Sequence, residues 1–137
     1  MINDLINNIA IKLNSVFGSD YRIYTESVKQ GLVEPAFSIV LLQAEQTPRI
    51  PNRYFRTYPF DIHYFPKTKT KNEMYEVGEK LLIEMEYLDN LCRGTKMRYE
   101  VIDDVLHFFV NYDLFVKKQV EEVESMAELT VNSKTEA

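Results

Sequence analysis

From Met97 to Val116 the chain alternates in hydropathy through two successive runs joined by an Asp-Asp pair. Met97, Tyr99 and Val101 alternate with Lys96, Arg98 and Glu100. After Asp103-Asp104, the six residues Leu106, Phe108, Val110, Tyr112, Leu114 and Val116 share one strand face. A period of two is the signature of a strand buried on one side. A two-residue turn at Asp103-Asp104 pairs Val101 with Leu106, Tyr99 with Phe108 and Met97 with Val110, so apolar residues face each other at each step. The same register sets Glu100 opposite His107 on the other face. A slip of one residue would turn the whole apolar set outward, so the pairing is strongly specified. Whatever fold the chain adopts must supply a core to one side of this ribbon.

The core's other walls can be read from the rest of the chain. Ile2, Leu5, Ile6, Ile9, Leu13 and Val16 recur at three- and four-residue steps and predict a helix with one apolar stripe, stopped at Gly18. Tyr21 to Thr25 reads as a short strand, and Gly31 and Pro35 bracket a turn-prone connection. Ala36 to Ala44 is mostly apolar and predicts a strand covered in part on both faces. Glu45 to Arg53 holds two prolines and no periodicity, which excludes a central strand and leaves a surface loop or an extended hairpin tip. Tyr54 to Phe65 resumes alternation, with a bulge or edge position expected at Pro59. Thr70 and Glu73 have capping-box spacing and open a second helix that turns Met74, Val77, Leu81, Met85 and Leu88 inward. Gly78 in that helix suggests close packing on a sheet, and Gly94 leads the chain out of it.

The expected fold class is α+β: a single, mostly antiparallel sheet of about five strands with two helices packed on one face. The domain is expected to cover residues 1–118. Residues 119–137 carry five Glu against one Lys and are expected to form a flexible acidic tail. The 137 residues include 17 aromatics and 45% apolar residues, enough for one ordinary core and inconsistent with a disordered or disulfide-stapled chain. Cys92 is the sole cysteine, so no internal disulfide can form. No secretory leader, membrane helix or membrane partner is expected, and a cytosolic setting is the default. The net charge of −5 argues against nucleic-acid binding, sequence-specific or otherwise. Between Arg49 and Lys71, however, six basic residues stand against Asp61 alone. That local excess fits either a partner of opposite charge or a solvated loop.

Tests for chemistry are mostly negative. The four glycines are scattered, so there is no phosphate loop, and the sequence has no serine elbow or metalloprotease helix motif. Asp61 and His63 share a strand face, but two ligands are too few for a metal, and a solvated face is the expectation. His107 is expected to pair with Glu100 across the hairpin as a structural contact. Cys92 lacks any nucleophile signature and reads as a structural thiol. No enzyme, cofactor or metal is therefore expected. The outer face of the last strand is different: His107, Phe109, Asn111, Asp113 and Phe115 mix aromatic and polar groups, as protein interfaces do. Cover by another chain segment is the alternative.

Five blocks carry a family resemblance: Met1-Ile-Asn-Asp-Leu-Ile-Asn7, Gly31-Leu-Val-Glu-Pro35, Asn52-Arg-Tyr-Phe55, Arg93-Gly-Thr-Lys-Met97 and Val105-Leu-His-Phe-Phe-Val-Asn-Tyr112. In these the chain resembles the small tail-terminator-like proteins of long-tailed phages, those found in prophages of Gram-positive bacteria, over roughly residues 1–118. Asp104 departs from the glycine expected in the turn. The resemblance implies a structural virion protein that forms a homo-oligomeric ring of six. Such a ring caps the tail tube, stops its polymerisation and joins the tail to the head connector. Its partners would be the tail-tube and head connector proteins, and its location the virion tail, after assembly in the host cytoplasm. The expected subunit or tail-tube interface comprises Arg49, Arg53, Phe55, Arg56, His107, Phe109, Asn111 and Phe115. The alternatives are another head–tail joining or neck protein on a similar scaffold, and a small-molecule-binding module.

Overall fold

A computed structural model of the chain describes residues 2–26, 31–88 and 92–117. The expected acidic tail at 119–137 lies outside the described residues. Helix α1 (Ile2–Phe17) is followed by strands β1 (Arg22–Tyr24), β2 (Ala36–Leu41), β3 (Glu45–Arg49) and β4 (Arg53–Phe65). Helix α2 (Lys71–Glu84) then leads to β5 (Tyr87–Leu88), β6 (Cys92–Ile102) and β7 (Val105–Lys117). The chain divides into two compact units. The larger takes in residues 1–46 and 56–114, and the smaller takes in 47–55 and, among the described residues, 115–117.

The expected five-stranded α+β sheet is corrected: the protein is mostly β, with seven strands in one sheet. The strand order is β1-β2-β4-β7-β6-β5, with β3 paired to β4 off that path. In the larger unit the sheet curls strongly as a half-barrel and does not offer one flat face to two helices. Helix α1 accordingly touches β1 and β2 at one end of the strand order and β5 at the other, whereas α2 lies against β6. Long strands accumulate right-handed twist, and that coiling leaves no mark on hydropathy periodicity. Two strands were hidden for simpler reasons. All five residues of β3 are exposed, so no alternation marks it, and Leu88 of β5 continues the apolar spacing of α2. β2 with β4, β5 with β6 and β6 with β7 pair antiparallel, whereas β1 and β2 run parallel.

The core follows the apolar stripes closely. Leu5, Ile9 and Leu13 of α1, and Met74, Val77 and Leu81 of α2, are buried with Phe37, Ile39, Phe60, Ile62 and Tyr64 of the sheet. Each such side chain contributes about 1.5–3 kcal/mol by leaving water. Phe37 also packs on Phe17 and Tyr64, with ring centres 4.8 and 5.0 Å apart. Gly18, at φ 97°, ends α1 as expected, its amide donating to the carbonyl of Asn14. The capping box of α2 is one-sided. Thr70 accepts from the Glu73 amide, but the Glu73 carboxylate accepts from Thr68 and Tyr64 hydroxyls and does not reach back to Thr70. Pro59 lies inside β4, which runs between β2 and β7. Its missing N–H is harmless to the β2 ladder, which ends at Leu41–Phe60. Beyond that pair, the Leu42 amide donates to the Pro59 carbonyl at 2.9 Å.

The closing hairpin forms about a two-residue turn, with Val101 opposite Leu106, Tyr99 opposite Phe108 and Glu100 opposite His107. Asp103 and Asp104 both take positive φ, 51° and 63°, the conformation of a type I′ turn. Past Arg98 the register changes by one, with Thr95 opposite Asn111 and Gly94 opposite Tyr112. The expected Met97–Val110 pair is therefore replaced by a bulge at Lys96-Met97, where Lys96 adopts φ 52°. The bulge has a steric purpose. In the unshifted register Thr95 would oppose Tyr112 on the core side; the shift puts Gly94 there instead. A Cβ on Gly94 would stand 2.7 Å from Val110 Cγ2 and 3.1 Å from the Met85 carbonyl oxygen. Gly78 of α2 is similarly tight, 2.8 Å from the Tyr99 ring, as its place on the helix suggested.

Gly94→Ala should destabilise the protein by about 1–3 kcal/mol in denaturant unfolding, because the Val110 side chain and the Met85 carbonyl oxygen both crowd the added methyl. Gly78→Ala sets about 1 kcal/mol of helix propensity against the Tyr99 clash. It should destabilise the native background and stabilise a Tyr99→Ala background, a sign reversal that a double-mutant cycle would read. Asp104→Gly should raise stability by about 1 kcal/mol by removing a left-handed non-glycine residue.

Candidate functional site

The outer face of the sheet carries the side chains that the core leaves out. On β4, Phe60, Ile62 and Tyr64 point inward, so Asp61, His63 and Phe65 point outward. On β7, Leu106, Phe108, Val110 and Tyr112 are buried, which turns His107, Phe109 and Asn111 outward. Because β4 and β7 are neighbours, these two outward rows meet. Asp61 is buried, at 7% exposure. Its Oδ2 accepts from His63 Nε2 at 2.9 Å and from His107 Nδ1 at 3.0 Å. Across the β2 ladder its opposite residue is Val40, and that of His63 is Ser38. Burial alone would raise the Asp61 pKa, but hydrogen bonds from both histidines and their charge outweigh it and hold the carboxyl below its ordinary value.

The aromatic groups extend this row. The His63 and His107 rings lie 4.5 Å apart, and Phe109 stacks on His107 at 6.3 Å with 16° between the planes. The Arg98 guanidinium sits 4.4 Å above the Phe109 ring, a favourable cation–π contact. Arg98, Phe109, Tyr99 and Glu100 line a pocket of about 170 Å³.

The eight residues expected to form an interface fall into two groups. In the larger unit, His107, Phe109 and Asn111 lie along the outward row of β7, half-buried. Arg56 donates to Gln46 Oε1 at 2.7 Å. In the smaller unit, Phe55 and Phe115 pack with ring centres 5.1 Å apart, and the Arg49 guanidinium lies 5.5 Å from the Phe55 ring centre. Phe115 remains 62% exposed. Arg53 and Arg49 line a second pocket of about 190 Å³ with Pro48, Asn52 and Tyr54. The expected Glu100–His107 contact is corrected: the two residues are opposite in register, but the His107 ring bonds Asp61. The basic residues from Arg49 to Lys71 fall in both units, and Lys69 pairs with Glu34 at 3.7 Å. Sequence reasoning saw Asp61 with His63, and separately His107, but not the three together. Nothing in the order of residues says that β4 neighbours β7.

Cys92 is half-buried, and its thiol pKa is pushed up to about 11 by burial and by the Asp113 carboxylate. A thiol so placed is protonated at neutral pH and poorly nucleophilic.

A mostly β domain with an aromatic and ionic outer face, and with its sole thiol deactivated, has the equipment of a binding subunit. The family of phage tail terminator proteins matches residues 4–124, and the chain belongs to that family. The resemblance to phage tail terminators is thereby borne out at the level of that family. No curated protein matches the chain. Membership makes this a structural component of a phage tail, working among tail proteins of the virion, in line with a non-enzymatic role. Among the described residues no helix is long and apolar enough to cross a membrane.

Alkylation by iodoacetamide at pH 8.5 should be slow for Cys92 in the folded protein. A two-unit rise in pKa lowers the thiolate fraction roughly 100-fold, so unfolding in urea should accelerate the reaction strongly.

Proposed function

We propose that this protein assembles into a closed homo-oligomeric ring, six copies by family resemblance, on the head-proximal end of the tail tube. The ring stops tube polymerisation and offers its opposite surface to the head connector. The observation that carries this reading is the family match over residues 4–124. The monomer's chemistry is compatible with it. A ring needs a heterologous contact, two different patches on each subunit that fit one another. Outward aromatic and basic groups are present in both units: Phe109 with Arg98 in the larger, and Phe55, Phe115 and Arg49 in the smaller. The β3 strand adds a fully exposed segment from Glu45 to Arg49. Such an edge suits docking on a tube subunit. In this reading Arg49, Arg53, Phe55, Arg56, His107, Phe109, Asn111 and Phe115 supply the subunit and tail-tube contacts. The acidic residues beyond Gln119 supply charge opposite to the Arg49–Lys71 segment.

Light scattering and negative-stain imaging, with and without tail-tube protein, test the proposal. Rings and tubes of limited length are expected; a monomer that leaves tube growth unchanged would refute it. Arg53→Glu with Arg56→Glu should raise the concentration needed for ring formation about tenfold, equivalent to ~1.4 kcal/mol, with the melting temperature of the monomer little changed.

A further inference from the structure

We infer that Asp61, His63 and His107 bind a divalent transition-metal ion of the zinc type on the outer face of the sheet. This inference does not rest on the tail role. It begins from donor chemistry: two imidazole nitrogens and a carboxylate oxygen, drawn from neighbouring strands, lie within 4.8 Å of one another. Metal bonds of about 2.0–2.2 Å place adjacent donor atoms of a tetrahedral site roughly 3.3 Å apart. The separations here, 2.9 Å from His63 Nε2 to Asp61 Oδ2 and 3.0 Å from His107 Nδ1, fall a few tenths of an ångström short. The two imidazole nitrogens stand wider, within 4.8 Å, so the histidine rings must turn toward one another and open slightly from Asp61 to seat the ion.

The carboxylate supplies the second, independent observation. Asp61 is more than nine-tenths buried, and its Oδ1 has no hydrogen-bond partner. A buried carboxylate oxygen without a partner carries a desolvation cost that hydrogen bonds to Oδ2 leave in place. A cation held by Asp61 offsets that cost. The imidazoles are oriented by packing: Phe109 stacks on His107, and Phe65 meets the His63 ring edge-on at 6.1 Å. Both rings come from extended strands, which hold a site more firmly than loops do.

The donor set also selects the ion. Calcium and magnesium prefer all-oxygen shells, whereas two imidazoles and one carboxylate suit zinc, cobalt and nickel. Three protein ligands leave one position for water, and the histidine side chains, 24% and 19% exposed, leave that position reachable from solvent.

The full-length chain without a histidine tag is titrated with Co(II) and Zn(II), reading ligand-field absorption, competition with a chelating dye and the melting temperature. One equivalent is expected to bind, giving a cobalt spectrum of low coordination number and a Zn(II)-dependent rise in melting temperature; Mg(II) at the same concentration should give neither. His63→Gln and His107→Gln should each weaken Zn(II) binding by at least about 100-fold, the upper end of what losing only an outer partner costs. His63 is the more exposed of the two, so His63→Gln decides the matter if His107→Gln does not fold. Binding of no equivalent, or binding unchanged in a folded His63→Gln protein, would overturn the site and leave Asp61 as the hub of a hydrogen-bonded pair of histidines.

Discussion

Tyr112 is fully buried, and its hydroxyl donates to the carbonyl oxygen of Met85 at 2.6 Å. Met85 caps the C-terminal end of α2, where helix carbonyls lack internal partners. This one bond therefore satisfies an orphaned helix acceptor and a buried phenol together. Both groups would otherwise carry the penalty of an unmade hydrogen bond. Beside this bond lies Gly94 of β6, where a Cβ would stand 2.7 Å from Val110 Cγ2, 3.1 Å from the Met85 oxygen and 3.3 Å from the Tyr112 ring. The bulge at Lys96-Met97 delivers Gly94 to that position and keeps Thr95 on the outer side. A local irregularity in one strand thus lets the hairpin, the end of α2 and the core close on one another.

The two faces of the sheet divide the work between stability and contact. The inner face is nearly all aromatic and aliphatic, and both helices bury their stripes into it. The outer face concentrates its ionisable groups around Asp61, where two histidines converge on one carboxylate oxygen. A buried carboxylate flanked by imidazoles is a costly arrangement to keep for stability alone, since paired apolar groups often serve as well. In each unit aromatic rings stand beside cationic groups, Arg98 over Phe109 in the larger and Arg49 beside Phe55 in the smaller. That pairing is common where proteins meet proteins.

Much of the fold was legible because its signals are local. The stripe from Ile2 to Val16, the stop at Gly18, the Ala36 strand and the hairpin turn at Asp103-Asp104 all follow from neighbours within a few residues. Asp104 tolerates the left-handed conformation that a type I′ turn demands, so its departure from glycine changed neither turn nor register. The shortfalls are also physical. The strand β3 has no buried side to pattern it, β5 is two residues long, and the capping carboxylate of Glu73 found the Tyr64 hydroxyl more accessible than its own helix start. The family resemblance was legible in short sequence blocks and not in any catalytic spacing, and the family match itself spans residues 4–124.

By itself, the sequence determined which residues turn inward, where the turns fall and how β6 begins its pairing with β7, because hydropathy period and turn chemistry act over a few bonds. Only the tertiary structure decided the curl of the sheet, the bulge that seats Gly94 under Tyr112, and the meeting of Asp61, His63 and His107. Each of these depends on which strands lie side by side: Asp61 and His107 are 46 positions apart. Contacts over such distances arise from the packing of whole elements, and no periodicity in the chain encodes them.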